Sequence, residues 1–562
     1  MNKETKVCQN CKNQFTVEPE DFEFYSKIKV PPPTWCPRCR AQRRYALRNE
    51  RHLYKRTCNL CRKNIISYLA PEYPYKVFCQ PDWWSDKWDP RQYGRDYDFS
   101  RPFFEQLVDL WRDVPWPALG NGYTTLVNSE YVHMSSDSKN CYLTTHADHN
   151  EDCAYSSGLK LSKDVFDATM VQGTEFSYEC LNVVKGYRNF YSVDCESSQD
   201  IYFSKNLVGC NDCIGCVNLR HKSYYIFNEP YSKEEYTKKF TEYHFGSRKN
   251  VEVFRKKAED FWSHYPSKYY HGSHNVNVSG DYIYESKNAL YSYEMLGVED
   301  CKYCQFLSTK PSRDCYDYTE WGQGAELIYE AVVVGDSVNN VRFAYTVYSS
   351  HNIEYSAHSH GSHDLFGCIG FKQGEYCILN KQYSKEEYRS LHDKIIKQMS
   401  ALPYTDKNGR VYEYGEFFPL DLIPFGYNET AEEFFPMGKE KALLQGYHWK
   451  EKDQQEYRQS SYKVPDDIND VQDDILEALL ACEKCGRNYR LIQMELNFYR
   501  KAGIPIPSKC YDCRHYERVR YRSPLFASGK LCSKCGKNIM SNIPEHITTI
   551  LYCEECYQKE II

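Results

Sequence analysis

Paired cysteines at both ends are the feature that most constrains what this chain can fold into. In each unit, two C-x-x-C pairs are separated by 24 residues, and a Phe-Tyr dipeptide precedes the second pair (Phe24-Tyr25, Phe498-Tyr499). A C-x-x-C turn directs two thiolates to one side of a tetrahedral metal, so two such turns complete a zinc ribbon. The cysteines of the two units are Cys8, Cys11, Cys36 and Cys39, and Cys482, Cys485, Cys510 and Cys513. The sequence therefore predicts one duplicated zinc site, with one copy at each end.

Each of these units is followed by a second cysteine set. Near the C-terminus the set is complete, with Cys532, Cys535, Cys553 and Cys556. The N-terminal counterpart has Cys58, Cys61 and Cys79, and alignment of the two copies places Asp82 where Cys556 stands. Aspartate can bind zinc, so a site of three cysteines and one aspartate is one interpretation. An Asp82 that is a plain surface residue beside a metal-poor ribbon is the other, and both stay open at this stage.

Four protein ligands leave zinc no free position for water or substrate, so these sites are expected to be structural rather than catalytic. We expect about four structural Zn²⁺ ions per chain. The first unit, with Phe24-Tyr25 and the stretch Cys36-Pro37-x-Cys39-Arg40, resembles a small family of probable zinc-ribbon domains. The whole chain resembles uncharacterised bacterial proteins that combine zinc ribbons with a β-solenoid. This resemblance implies no particular activity.

A short phrase recurs between residues 120 and 380: Asn or Asp, an apolar residue or Cys, any residue, and an aromatic residue. Examples begin at Asp152, Asp200, Asp300 and Asn352, and successive phrases lie about 12 residues apart. Apolar residues at i and i+2 face one side of a strand. We interpret two such strand-and-turn units as one coil of about 24 residues, which predicts a mainly β chain with a parallel β-solenoid, tyrosine ladders and Asn or Asp at the turns.

The repetitive region is itself doubled. The sequence Tyr-Ser-Lys-Glu-Glu-Tyr occurs at 231–236 and again at 383–388, and each copy contains a capping box, Ser232 with Glu235 and Ser384 with Glu387. A helix is therefore expected to begin at each place and to close one solenoid half. Residues 466–481 are expected to form an acidic helix. The 12 cysteines of this region are interpreted as small buried residues, and Cys210, Cys213 and Cys216 are left open as a metal cluster.

These interpretations give ten segments along the chain. The predicted boundaries are zinc ribbon 1 at 1–56, zinc ribbon 2 at 57–90, a linker at 91–119, solenoid half 1 at 120–230, a capping helix at 231–262, solenoid half 2 at 263–380, a capping helix at 381–402, a linker with helix at 403–479, zinc ribbon 3 at 480–523 and zinc ribbon 4 at 524–562.

Arginines interleaved with aromatic residues follow the first and third cysteine units. The net charge of −6 divides into roughly +6 at each end and roughly −18 in the middle. Such arginines suit phosphate neutralisation and base stacking, which favours RNA or a ribonucleoprotein as the partner. The alternative is that they dock onto the acidic body, within one chain or between chains. The candidate nucleic-acid ligands are Arg38, Arg40, Arg43, Arg44, Arg48, Arg51, Arg514, Arg518, Arg520 and Arg522.

Histidines cluster at His351, His358, His360 and His363, and again at His133, His146 and His149. They could suit a metal or a sugar, but we favour solvated histidines on stacked turns. With no apparent secretory leader, no apolar run long enough for a membrane span, and 27 cysteines, we expect a cytoplasmic protein that does not contact the membrane.

Together these features predict a non-enzymatic zinc-binding scaffold or binding protein without a small-molecule substrate, docking on RNA or a ribonucleoprotein through its ribbons. Two alternatives are kept: a self-assembling structural protein whose basic ends meet acidic solenoid flanks, and a β-solenoid carbohydrate-active enzyme. The last rests on analogy between folds alone.

Overall fold

The structure is a computed structural model that describes residues 2–451, 457–460, 462–548 and 550–561. It is mainly β, with 33% strand and 25% helix. None of the helices in these ranges is long and apolar enough to cross a membrane. The α-helices are α1 (Pro19–Lys27), α2 (Pro37–Ala46), α3 (Gln80–Trp84), α4 (Phe103–Asp113), α5 (Lys233–Tyr243), α6 (Arg248–Ser263), α7 (Lys385–Ala401), α8 (Ala431–Phe434), α9 (Lys439–Leu444), α10 (Gln493–Ala502), α11 (Tyr511–Val519) and α12 (Glu554–Ile561).

The first and third cysteine units have the same order of secondary-structure elements, and the second and fourth units share another order. The first and third units each have an antiparallel hairpin followed by two helices; the second and fourth each have a hairpin, a short strand and one helix. The strands are Glu4–Val7, Gln14–Val17, Tyr54–Thr57, Asn64–Ser67, Val77–Phe78, Leu480–Ala481, Asn488–Tyr489, Ser528–Leu531, Asn538–Ser541 and Leu551–Tyr552. The duplication predicted from the cysteine spacing therefore extends to secondary structure.

The first repetitive region forms two parallel sheets, and the chain passes repeatedly from one sheet to the other. One sheet contains His133–Ser136, Thr145–Asp148, Ser157–Lys160, Thr169–Gln172, Leu181–Val184 and Val193–Glu196. The other contains Lys163–Phe166, Glu175–Tyr178, Tyr187–Phe190, Gln199–Tyr202, Asn211–Ile214 and Ser223–Ile226, with Glu229–Pro230 antiparallel at its end. In neighbouring strands of one sheet, the paired residues are separated in sequence by the length of one phrase, as in Thr169↔Leu181. The predicted coil of two phrases is therefore wrong, because a single phrase returns the chain to the same sheet.

The second repetitive region forms one 14-stranded sheet with the same kind of parallel pairing. In its centre are three long strands. The residues that these strands pair lie one position farther apart in sequence than those paired in the first region, as in Ser312↔Ala325. The strands are Gly272–Ser273, Gly280–Tyr284, Lys287–Leu290, Ser292–Leu296, Val298–Lys302, Gln305–Leu307, Ser312–Gly322, Ala325–Gly335, Asn339–Tyr348, His351–Glu354, Ala357–His360, His363–Phe366, Glu375–Ile378 and Lys381–Gln382. Short pairs elsewhere join Val77–Phe78 to Trp116–Pro117, Ser267–Lys268 to Leu551–Tyr552, and Tyr404–Thr405 to Val411–Tyr412.

A left-handed backbone residue recurs at every third position from 134 to 227, with φ between +47° and +68°. Asn, Asp and Gly adopt this conformation most readily. The Asn or Asp that begins each sequence phrase occupies such a position: φ is 54° at Asp152, 53° at Asp200 and Asp300, and 54° at Asn352. The phrase therefore repeats because the backbone turns at that residue.

Side chains at equivalent positions of successive strands bond to one another. The Asn128 amide donates to Asn140 at 2.9 Å, and the Asn140 amide donates to Asp152 at 2.8 Å. Inside the region, the Ser156 hydroxyl oxygen accepts the backbone N–H of Ala168 at 3.0 Å. Asn and Asp thus lie at the turns, as predicted, and their side chains form hydrogen-bonded ladders. Aromatic ladders are present in part, as in the stacked pair Tyr191 and Phe203, whose centroids lie 4.6 Å apart.

A helix begins within each copy of the repeated hexapeptide, as the capping boxes predict. Ser232 and Ser384 cap α5 and α7, and each accepts the N–H of the glutamate three residues later. The first capping helix, predicted at 231–262, is divided into two helices, α5 and α6, which together end at Ser263. The acidic helix predicted for 466–481 is wrong: only two short 3-10 helices occur there, at Ile468–Asp470 and Asp473–Leu476.

The two segments predicted as linkers are packed parts of the core. Within 91–119, α4 buries Phe103 and Leu110. Within 403–479, Phe417 and Phe425 are at most 1% exposed. Both segments contribute to one large hydrophobic cluster with the second β region and the N-terminal ribbons. These segments therefore fasten the ribbons to the β region rather than spacing them from it.

Candidate metal centres

The structure brings every predicted cysteine ligand into one of four compact clusters. Three clusters have four cysteines and one has three cysteines and Asp82, and the donor atoms within each lie within 4.8 Å of one another. The sulfur atoms of Cys11 and Cys36 are 3.7 Å apart, as are those of Cys485 and Cys510. Four sulfurs at about 2.3 Å from a tetrahedral zinc would lie about 3.8 Å from one another. The clusters can hold metal ions, and their chemistry is consistent with structural zinc.

Each cluster begins with the same tight turn. The backbone N–H of its first cysteine donates across the turn at 2.9 Å in all four units, for example from Cys8 to the Asn13 carbonyl. The residue after the second cysteine is left-handed, with φ of 63° at Lys12, 64° at Arg62, 74° at Gly486 and 72° at Gly536. This turn directs both thiolates toward the same point.

The other ligand pair lies at the start of a helix. Cys36, Cys79 and Cys510 are the N-caps of α2, α3 and α11. In α2 the fourth ligand, Cys39, follows in the first turn. Free N–H groups and the helix dipole stabilise negative charge at a helix N-terminus, which favours the thiolate form.

Asp82 lies in the fourth ligand position of the second cluster and is 4% exposed. Its Oδ2 is 3.4 Å from the Cys58 sulfur and 3.2 Å from the Cys79 sulfur, and its Oδ1 accepts from Lys87 at 3.1 Å. One oxygen therefore faces the thiolates while the other is held by a lysine, an orientation suited to a monodentate ligand. The alternative of a plain surface aspartate does not fit this burial.

Arginines of α2 enter the second β region instead of facing solvent. Arg40 donates to Asp317 at 2.9 Å, and Arg44 donates to Asp317 at 3.0 Å and to the Thr319 hydroxyl at 3.0 Å. Arg43 donates to Glu330 at 2.6 Å. All three arginines are at most 1% exposed. Buried charges need such partners, so α2 is held by ion pairs shielded from water.

The C-terminal ribbons dock on the first β region in the same way. Arg514 donates to Asp167 at 3.1 Å, and Arg518 donates to the Thr169 hydroxyl at 3.0 Å. The Arg514 guanidinium also lies 3.4 Å from Glu495, and both arginines are at most 6% exposed. Burial raises the pKa of Asp167, while Arg514 and Arg518 oppose that shift.

The two docking surfaces use equivalent residues, but each end of the chain docks on the β region that lies farther from it in sequence. Phe24 stacks on Tyr316 with centroids 3.9 Å apart, and Phe498, its counterpart, stacks on Phe166 at 4.3 Å. We call each surface a clamp: Arg40 and Arg44 on Asp317 and Thr319, and Arg514 and Arg518 on Asp167 and Thr169. The N-terminal ribbons thus clamp the second β region, and the C-terminal ribbons clamp the first.

The prediction that these arginines bind nucleic acid is wrong for those that the chain buries. Arg40, Arg43, Arg44, Arg48, Arg514 and Arg518 are at most 6% exposed and paired within the chain. The remaining four also have intramolecular partners: Arg38 lies over the Phe435 ring, Arg51 pairs with Asp512, Arg520 with Glu259 and Arg522 with Glu433. The alternative, docking of these arginines onto the acidic body within one chain, accounts for these contacts, because acidic residues of the body need cationic partners once buried.

The interpretation of the histidines as solvated is wrong for several of them. His133 and His358 are each 1% exposed. The His358 ring lies edge-on to Trp116, with centroids 4.7 Å apart. Burial lowers the pKa of His133 to about 3, so it stays neutral. These rings are core residues, because His133 stacks on Tyr68, with centroids 4.8 Å apart, and His358 packs against Trp116.

His146 and His271 instead join the two β regions. His146, in the first region, lies 2.8 Å from Glu320 in the second and 3.2 Å from Glu50. His271 lies 3.0 Å from Asp281 and 3.4 Å from Asp194. Burial opposes the charged form of both rings, but the adjacent carboxylates outweigh it and raise each pKa to about 10.

Stability is therefore expected to fall in alkaline solution. A histidine with a pKa near 6.5 when unfolded and about 10 when folded stabilises the fold fully below pH 6.5 and loses that contribution as pH rises through 10. Because each pKa unit corresponds to about 1.4 kcal/mol, the loss should reach a few kcal/mol. Urea unfolding at pH 7, 8.5 and 10 measures it, and His146→Asn should flatten the dependence. A parallel pH dependence in the variant would contradict the assignment.

The cysteines of the body lie outside every metal-holding group found among the described residues. All 12 are buried, and Cys210, Cys213 and Cys216 belong to no metal-holding group among the described residues. Their thiols donate to backbone carbonyls instead, as Cys213 does to Asn211 at 3.3 Å. They pack as small buried residues, which was the predicted interpretation.

Comparison with known proteins leaves the metal clusters as the firmest basis for classification. No protein-family model, curated protein or solved structure matches this chain. The expected zinc-ribbon family is therefore not identified. What is shown is a β-rich protein whose terminal cysteine clusters are compatible with zinc-ribbon-like metal sites.

Proposed function

We propose that the protein is a non-enzymatic scaffold in which four zinc ribbons fasten a β-solenoid body from both ends of the chain. The observation that carries the proposal is the pair of equivalent clamps, in which arginines of a ribbon helix are buried on an aspartate of the body. Metal binding fixes the start of the helix that carries those arginines. Zinc would thus hold the body in one conformation.

We infer that each β region winds as a solenoid in which one sequence phrase makes one coil. The register of the parallel pairs supports this, as does the left-handed residue at every third position. A stack of short coils exposes sheet edges at its ends. The helices α5 and α7 follow the last coil of each region and favour a single, finite body over an open polymer.

A groove beside helix α10 supports a binding role more than a catalytic one. It has a volume of about 420 Å³ and lies between the ladder of Asn128, Asn140, Asp152 and Asp164 and helix α10. Both carboxylates have partners in the chain: Asp152 accepts from Asn140, and Asp164 pairs with Lys501 at 3.2 Å. General acid–base catalysis needs a group free to exchange protons with a substrate.

Gel filtration of native lysate, with and without nuclease, tests the scaffold proposal. We expect the protein to elute well above its 66.4 kDa monomer mass, at a volume that nuclease treatment leaves unchanged. The expected insensitivity follows from the internal pairing of the ribbon arginines. A shift after nuclease treatment would favour nucleic acid as the partner and overturn the proposal. Elution as a free monomer in lysate would also overturn it, since a scaffold without partners has no role.

A further inference from the structure

A column of metal-binding side chains crosses three successive strands at the end of the second β region. His351 pairs in register with His363, and His363 pairs in register with Glu375. The two imidazole rings are stacked 5.0 Å apart and nearly parallel, at 13°. Asp364 lies beside this column. The backbone register therefore places two imidazoles and two carboxylates together without any contribution from the ribbons.

We propose that His351, His363 and Asp364 form a fifth metal site, which takes a divalent transition metal such as Zn²⁺ or Co²⁺. Their ligand atoms all lie within 4.8 Å of one another. The Asp364 Oδ2 is 2.8 Å from His363 Nδ1. Two ligands at about 2.1 Å from one metal, at right angles or tetrahedral angles, are about 3.0 to 3.4 Å apart. Nδ1 and the carboxylate oxygen can therefore chelate one ion after a small movement.

The other nitrogen of His363 already has the partner that metal-binding histidines usually have. Nε2 lies 3.3 Å from the Glu375 carboxylate. A carboxylate on the distal nitrogen fixes the ring orientation and raises the basicity of the nitrogen that binds the metal. Glu375 is thus a positioning residue, and His363 would bind through Nδ1.

This site differs from the ribbons in chemistry and access. It offers nitrogen and oxygen donors, whereas the ribbons offer mainly thiolates. His351 is exposed and the other two residues are partly exposed, so the ion can exchange with solvent. Three protein ligands also leave coordination positions for water or another ligand, as in open two-histidine, one-carboxylate sites. Each ribbon offers four protein ligands and would enclose its ion, whereas this site would bind its ion reversibly.

Titration of the full chain with Co²⁺ tests the site, after dialysis has removed exchangeable metal and left zinc in the four ribbons. We expect one additional Co²⁺ per chain, with visible d–d absorption but without the near-ultraviolet thiolate-to-cobalt band that ribbon exchange would produce. His351→Ala and His363→Ala should abolish this binding, and Glu375→Gln should weaken it by about 10- to 100-fold. His149→Asn is the matched control, because His149 also faces an aspartate, Asp137, at 4.0 Å.

Three results would overturn the proposal. The first is the absence of an additional Co²⁺ in the wild type. The second is additional Co²⁺ that survives both histidine substitutions. The third is equal loss of binding in the control variant, which would indicate adventitious surface ions. Circular dichroism of each variant separates loss of the ligand from loss of the fold, and Glu375→Gln keeps the site testable if a histidine variant unfolds.

Discussion

Asp317→Asn is expected to destabilise the protein by about 3 kcal/mol, because it removes one of the two buried carboxylates, Asp317 and Glu330, that Arg40 and Arg44 share. Arg40 and Arg44 both donate to Asp317, and none of the three side chains is more than 1% exposed. Asparagine keeps the shape of the side chain and tolerates the left-handed backbone at this residue, where φ is 52°. The change therefore removes charge with little added strain. Urea unfolding followed by circular dichroism measures the effect.

Asp300→Asn is the matched control for this substitution. Asp300 is exposed, has φ of 53°, and accepts from Asn288 at 2.7 Å, an acceptor that asparagine retains. Its free energy of unfolding should change by less than about 0.5 kcal/mol. Asp167→Asn should resemble Asp317→Asn, because it opens the equivalent clamp on the first β region. Equal small effects at all three positions would mean that the clamps do not hold the ribbons.

Loss of a ribbon thiolate is expected to remove one zinc per chain and to destabilise the fold by more than about 3 kcal/mol, because metal binding and folding are coupled in such sites. Cys8→Ser and Cys482→Ser test the two clamping ribbons, and Asp82→Ala tests the mixed site. After dialysis that removes exchangeable metal, the metal content should fall from four to three ions in each variant. Differential scanning calorimetry reports the change in stability.

Cys180→Ser provides the control in the body. Its thiol is buried and donates to the Asn189 carbonyl at 3.1 Å, a bond that a serine hydroxyl can also make. Zinc content should remain at four, and stability should change by only about 1 kcal/mol. A loss of metal in this variant, or four ions retained in Asp82→Ala, would contradict the ligand assignment.

The local sequence carried enough information for the metal clusters and the turns of the body. Cysteine spacing defines a ribbon because the turn and the helix start that present the thiolates are short and local. The recurring Asn or Asp is likewise a local signal, since the backbone turns at that residue. The phrase spacing does not reveal the coil length, because one sequence phrase contains two short strands that belong to different sheets.

The clamps could not be predicted, because they join residues that lie far apart in sequence. Arg44 and Thr319 are 275 residues apart, and Arg518 and Thr169 are 349 apart. Arginines near a ribbon are compatible with both a phosphate and a buried carboxylate, and only the fold decides between them. The excess of acidic residues in the middle region indicates that arginines could dock there, but it does not identify Asp317 or Asp167 as their partners.

Hydrogen exchange before and after chelation tests the central claim, that the ribbons are metal-held clamps on the body. With zinc removed, we predict faster exchange in the ribbons and also in the clamped strands, Ser312–Gly322 and Thr169–Gln172. Strands remote from the clamps, such as Asn211–Ile214, should change less. Faster exchange confined to the ribbons, with the clamped strands unchanged, would contradict the account.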